Sequence, residues 1–223
     1  HFFTTSLGAA DVYNIWSMTA TNFGVNYVSD PEPSPAEPIF TNGVGTWSEP
    51  ATVPLSSNYT VAVNGVNAPV IVCTDPNNTP GYEVDVAQFA VQGPWTVVIT
   101  NSQLITNCTV HPLSRYITPL INGRTVTFTF PIPDNLYVEI NRKTQPPLCL
   151  LAQPQMELPS GTNVLVISAG VNRGSIAPTS GQTVWFNPGA VLYGQITGSA
   201  VSNILVAGYG ILLNMQAPGL YWL

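Results

Sequence analysis

Short β-branched runs return at a near-constant interval through the last third of the chain, and this repetition constrains the fold more than any other feature. Val184-Trp185-Phe186 is followed by the run from Gly189 to Gly194 and then by Ile204 to Leu212. Val164-Leu165-Val166-Ile167 lies about one interval upstream. Glycine and small polar residues punctuate the stretch Gly181 to Leu212. Equivalent apolar runs roughly 20 residues apart are what one turn of a β-solenoid requires, because each turn stacks its strands on those of the next.

The preceding sequence follows a different pattern. Tyr59 to Cys73, YTVAVNGVNAPVIVC, holds an Asn-Gly pair between two β-rich runs, the strongest short-range hairpin signal. Glu83 to Val91 and Trp95 to Asn101 are strand-like runs joined by Gln-Gly-Pro. Thr125 to Phe130 and Leu136 to Asn141 are joined by PIPDN, and Pro147 to Gln153 follows. Many short strands with polar turns predict an antiparallel β-sandwich. Weaker alternation in Val12 to Trp16 and Phe23 to Val28 predicts two further strands, and the proline-rich Asp30 to Pro38 a stiff surface crossing. No Asp or Glu occurs after Glu157, where the turns also become Gly/Ser-rich. The expected organisation is all-β, with a sandwich over residues 1–158 and the opening coils of a parallel β-helix over 159–223.

Composition narrows the class of function. Charged residues make up 7% of the chain, against about 25% in ordinary globular domains. Five Lys and Arg against eleven Asp and Glu leave a net charge of −6, with no basic patch to follow a phosphate backbone, so nucleic acid is not an expected partner. No apolar run approaches the roughly 20 residues of a membrane helix, so a membrane is not expected either. A lysine-poor surface rich in Ser, Thr and Asn fits a secreted, extracellular protein acting on neutral polymers. His1-Phe2-Phe3 reads as a mature terminus from which a leader has been removed.

Cys73, Cys108 and Cys149 lack metal-type spacing. Cys73 and Cys108 flank consecutive strand-like runs and are a candidate disulfide in an oxidising compartment; three buried free thiols are the alternative. The sequons at Asn58, Asn77 and Asn107 are candidate N-glycosylation sites.

The strings NGRTVTFTFPIPDNLYVEIN, PLCLLAQPQMELP, GQTVWFNPGAVLYGQI and NILVAGYGIL, within Asn122 to Leu212, resemble the entrance to the dextranase and isopullulanase group of glycoside hydrolases. More broadly the layout is similar to pectinase-like β-helix enzymes that carry an N-terminal β-sandwich. The resemblance implies a right-handed parallel β-helix, a polysaccharide partner of the α-glucan type, and a sandwich that caps the helix and borders a glycan groove. It also implies that catalytic aspartates lie in later coils. Glycoside hydrolysis uses paired carboxylates, and the coil region here has none, so no catalytic residue is assigned. The expected role is the non-catalytic portion of a polysaccharide-degrading hydrolase. The alternative is a structural or assembly protein whose open solenoid end, with its apolar tail Pro218 to Leu223, is completed by a partner chain or by further coils.

Other sites are weaker. His1 and His111 are the only histidines and the candidates for a copper brace, set against a frayed terminus and a histidine at the exit of a core strand. No metal or cofactor is expected. Glu83 and Asp85 share one strand face, a candidate pair beside a ligand or metal set against the favoured reading of a solubilising outward pair. Of Trp47, Tyr59, Trp95, Tyr137, Trp185 and Tyr193, Trp47 in the loop NGVGTWSEP is the one expected to be exposed for carbohydrate contact.

Overall fold

The computed structural model describes residues 28–31, 38–74, 83–141, 145–213 and 220–222. His1, Asn77 and the two strands expected before Val28 lie outside these residues. The chain divides into two compact units, one comprising Pro38–Trp47 and Val53–Gln155, the other His1–Glu37, Ser48–Thr52 and Met156–Leu223. The first strand, β1 (Val28–Pro31), belongs to the second unit. This differs from the expected 1–158 boundary. Val28–Pro31 pairs antiparallel with a coil strand around Arg173, a long-range partner that local alternation does not specify.

The first unit is the sandwich, built from β2 (Ile39–Thr41), β3 (Val44–Thr46), β4 (Tyr59–Val63), β5 (Val66–Ala68), β6 (Val70–Thr74), β7 (Glu83–Val91), β8 (Trp95–Asn101), β9 (Cys108–His111), β10 (Leu120–Asn122), β11 (Thr125–Phe130), β12 (Asn135–Ile140) and β13 (Leu148–Pro154). One sheet runs β10-β11-β8-β4-β5. The other runs β2-β3-β7-β13-β12-β9, with β6 also paired to β7. The connections Val91 to Trp95 and Phe130 to Asn135 both carry the chain from one sheet to the other, so these strand pairs face each other across the core. One pair, β13 on β7, is parallel.

Period-two alternation sends Tyr59, Val61 and Val63, then Trp95, Val97 and Ile99, into a single core, where they meet Ala87, Phe89, Val138 and Leu150 of the facing sheet. Trp95 is fully buried, edge-on to Phe89 at 5.3 Å, and its indole N–H donates to the Ile132 carbonyl at 2.8 Å. That bond satisfies the polar atom its burial would otherwise strand. The β4–β5 hairpin turns at Asn64-Gly65, both at positive φ (47° and 80°), the mirror-image turn whose twist matches the flanking strands.

The second unit contains β14 (Val164–Ile167), β15 (Gly170–Ile176), β16 (Thr183–Phe186), β17 (Ala190–Ile196), β18 (Leu205–Gly208), β19 (Ile211–Leu213) and β20 (Leu220–Trp222). Strands β14, β16 and β18 form one parallel sheet and β15, β17 and β19 another. In the first, Val164 stands beside Thr183 and Thr183 beside Leu205, steps of 19 and 22 residues. In the second, Gly170 stands beside Ala190 and Val191 beside Ile211, steps of 20 and 20. The sequence interval is therefore the coil step. Leu165, Val184 and Val206 stack in one inward column, and Ile167 and Phe186 in the next. The run Ile204 to Leu212 is two strands, broken at Tyr209-Gly210. Leu220–Trp222 lies antiparallel on β19, so part of the apolar tail pairs with the last coil strand.

Glycine at the corners is a steric requirement. At Gly189 (φ 73°), in the Pro-Gly-Ala turn, a Cβ would come within 2.5 Å of the Ser48 carbonyl oxygen.

Candidate functional site

The outward face of the sandwich at β9 and β12 brings a histidine, a glutamate and a tyrosine together at the surface. Because Val138 and Ile140 of β12 point into the core, Tyr137 and Glu139 point away from it. On β9, Val110 is inward and His111 outward. Antiparallel pairing sets His111 opposite Tyr137, with Cys149 of β13 on the other side of that tyrosine. His111 Nε2 lies 3.4 Å from Glu139 Oε2, and its ring stands edge-on to Tyr137 at 5.8 Å. Both members of the pair are about one-third exposed, so the contact is a solvated one. Burial pushes the Tyr137 hydroxyl above its ordinary range, and the Glu139 carboxylate and Cys149 add to this. After His111 the chain makes a 3-10 turn, Leu113–Arg115, and Arg115 Nε meets Asp134 Oδ2 at 2.6 Å.

A second polar group is enclosed at one end of the sandwich core. Asp85 shares the inward parity of Ala87 and Phe89 and is fully buried, which corrects its reading as part of an outward, solubilising pair. Its Oδ2 accepts from Asn58 Nδ2 at 3.0 Å, and its backbone N–H donates to the Pro147 carbonyl at 2.9 Å. Burial raises the carboxyl above the usual range, while hydrogen bonds from Asn58 and Ser56 oppose this. Tyr59 donates to the Pro146 carbonyl at 2.7 Å, and its hydroxyl is pushed up by burial and then by Asp85. Asn101, cross-strand partner of Tyr59, donates to Gln145 Oε1 at 2.8 Å. This layer joins one carboxyl, three amides and a phenol; Asp85, Tyr59 and Asn101 are buried and Asn58 and Gln145 partly so, an arrangement that suits structural work rather than turnover.

The remaining sequence candidates are placed as follows. Trp47 is only 7% exposed, so the expected exposed platform is a packed side chain, and the Gly-rich loop before it is instead the β2–β3 hairpin. Cys73, Cys108 and Cys149 are not joined in disulfides. The proposed disulfide fails on topology. Between β6 and β9 stand β7, β13 and β12, so four strand spacings, about 19 Å, separate cysteines that would need Cα atoms within about 7 Å. Asn107 is exposed, whereas the Asn58 amide nitrogen, the atom a glycan would use, is turned onto Asp85. His111 faces Glu139. Among the described residues no three His, Cys, Asp or Glu side chains gather into a metal-sized cluster, and no helix is long and apolar enough to cross a membrane.

The exposed aromatic that sequence reading missed is Tyr116, 90% exposed immediately after the 3-10 turn; its loop, HPLSRYITP, has no periodicity to flag it. In the coils, Tyr193 lies under the Arg173 guanidinium, 4.8 Å from its ring centre, and Trp185 is buried edge-on to Tyr209 at 6.0 Å.

Neither protein-family models nor curated protein sequences match this chain. Among solved structures it is similar to Dex49A from Penicillium minioluteum, with a TM-score of 0.57 and 14% sequence identity, over 80% of this chain and 51% of that one. The chain thus spans about half the length of that protein. At this identity the likeness is one of fold.

Proposed function

We propose that this chain is the non-catalytic portion of a secreted, polysaccharide-degrading glycoside hydrolase of the dextranase and isopullulanase type. The observation that carries the reading is the combination of a Dex49A-like fold with coils that contain no carboxylate. The coil strands from Val164 to Leu213 have no Asp or Glu, and hydrolysis of a glycosidic bond calls for an acid and a second carboxylate on either side of it. Among the described sandwich carboxylates, Asp85 is buried in the core, Asp134 is held by Arg115, and Glu139 faces His111. The test is incubation of the purified 223-residue chain with dextran and pullulan, followed by measurement of reducing ends. None should form; turnover that persists through a second, independent purification overturns the reading.

A second reading, an assembly protein completed by another chain, is favoured by β18. Among the described residues it is an edge of its sheet, whereas β19 is covered by β20. Light scattering separates the two: a concentration-independent monomer argues against a subunit whose edge must be filled.

A further inference from the structure

We propose that the turn Leu113–Tyr116 and the outward face of β12 form a binding site for a neutral glycan, with the rings of Tyr116 and Tyr137 as its stacking platforms. The inference rests on the polysaccharide reading above and adds to it a site on the sandwich.

Tyr116 occupies the left-handed region, φ 52° and ψ 35°, where a bulky side chain is strained by about 1 kcal/mol or more. The strain is held by two contacts. The Tyr116 N–H donates to the Leu113 carbonyl at 3.0 Å, and the neighbouring Arg115 is clamped to Asp134 at 2.6 Å. The result presents an aromatic ring to solvent, with no side-chain partner among the described residues. An exposed aromatic on a constrained backbone loses little freedom when a ligand arrives.

Asp134 also fixes where the turn lies. It stands immediately before β12 and precedes Tyr137 by three residues, about 10 Å at the strand rise. Two partly or fully exposed tyrosines therefore fall on one stretch of surface, Tyr116 at 90% and Tyr137 at 38%. Hydrogen-bonding groups stand beside them: the His111–Glu139 pair, and Arg115, whose ion pair runs through Nε, one of its five N–H donors. Aromatic faces for the apolar faces of pyranose rings, with donors and acceptors for hydroxyls, describe a carbohydrate site. The mixed local charges and the net charge of −6 disfavour a polyanion.

Affinity electrophoresis of the full chain in gels containing dextran, pullulan or a soluble β-glucan tests this. At least one neutral glucan should retard the wild type. Tyr116→Ala and Tyr137→Ala should each weaken retention about tenfold, and Tyr116→Phe should preserve it. Thermal melts establish that the variants are folded. Retention unchanged in both alanine variants overturns this site while leaving the polysaccharide reading intact. Absence of retention by any glucan overturns the site, and the hydrolase reading is judged separately by the reducing-end assay. A fall in solution mass on Tyr116→Ala overturns it in favour of a protein contact.

Discussion

Asn58 and Asp85, on opposite sides of the sandwich core, are joined by one hydrogen bond of 3.0 Å from amide nitrogen to carboxylate oxygen. The bond does not fully offset the burial of Asp85, whose carboxyl stays raised above its ordinary value. A raised carboxyl means that the folded state holds its proton more tightly than the unfolded chain does. Stability is therefore greatest below the unfolded pKa, about 3.9, and falls as pH rises toward the folded value. Asp85→Asn should flatten that decline and raise the urea midpoint at pH 7 relative to wild type. Midpoints measured from pH 4 to 8 check this, and parallel curves for the two proteins would refute it.

The three thiols should be slow to react. Burial pushes Cys108 up to about 12 and Cys149 up to about 11, and Cys73 is buried. The thiolate is the reactive form, and at pH 8 a group with a pKa near 11 is about one part in a thousand ionised. A chromogenic disulfide reagent should therefore titrate far less than one thiol per native chain within minutes, and three after denaturation without reductant. Fewer than three after denaturation would reveal a disulfide and contradict this topology.

Two glycines at positive φ should respond differently to the same methyl group. At Gly65 (φ 80°) an added Cβ meets nothing within 4 Å, so Gly65→Ala should cost only the conformational strain, about 1 kcal/mol. At Gly208 (φ 116°) the Cβ would come within 2.1 Å of the Phe186 carbonyl oxygen, in the neighbouring coil. The coils would have to separate, and Gly208→Ala should cost about 3 kcal/mol. Urea unfolding of both variants checks the order; equal losses would mean that the coil stacking tolerates the clash.

These contrasts show what the sequence could carry. The Asn64-Gly65 hairpin and the coil step near 20 residues are local or periodic features, and they stand in the structure as written. Sheet membership is not local. Alternation makes β7 and β8 look like neighbours, yet Gln92-Gly93-Pro94 carries the chain across the core, because apolar faces on both strands can bury only against an opposing sheet. The inward position of Asp85 was hidden for a related reason. In β7 both parities from Asp85 onward are buried, so no polar face marks which side is out. Strand β15, GVNRGSI, was invisible altogether. It stacks closely on β17: a Cβ at Gly194 of β17 would come within 1.6 Å of the Gly174 carbonyl oxygen of β15 on the adjacent coil.

Within that strand, Asn172 occupies an inward position beside Leu192, where an apolar residue is expected. Its side-chain nitrogen donates to the carbonyls of Ser168 and Gly170 at 3.0 Å each and to Val191 at 3.4 Å. The first two hold the corner between β14 and β15, and the third reaches the next coil. Asn172→Leu would extend the apolar column of Leu192 and Leu212 while removing the donor that serves the buried carbonyls. Loss of those bonds costs about 1–3 kcal/mol, and the added apolar area recovers part of it. The net change should be destabilising by about 1 kcal/mol. Asn172→Asp should be worse near pH 7, because it sets a buried charge against carbonyl oxygens, and it should improve below pH 4 as the carboxyl becomes neutral. Urea midpoints of both variants at pH 7 and pH 4 decide the matter. If the leucine variant equals or exceeds wild type, the asparagine is not holding the corner, and shape alone sets the turn.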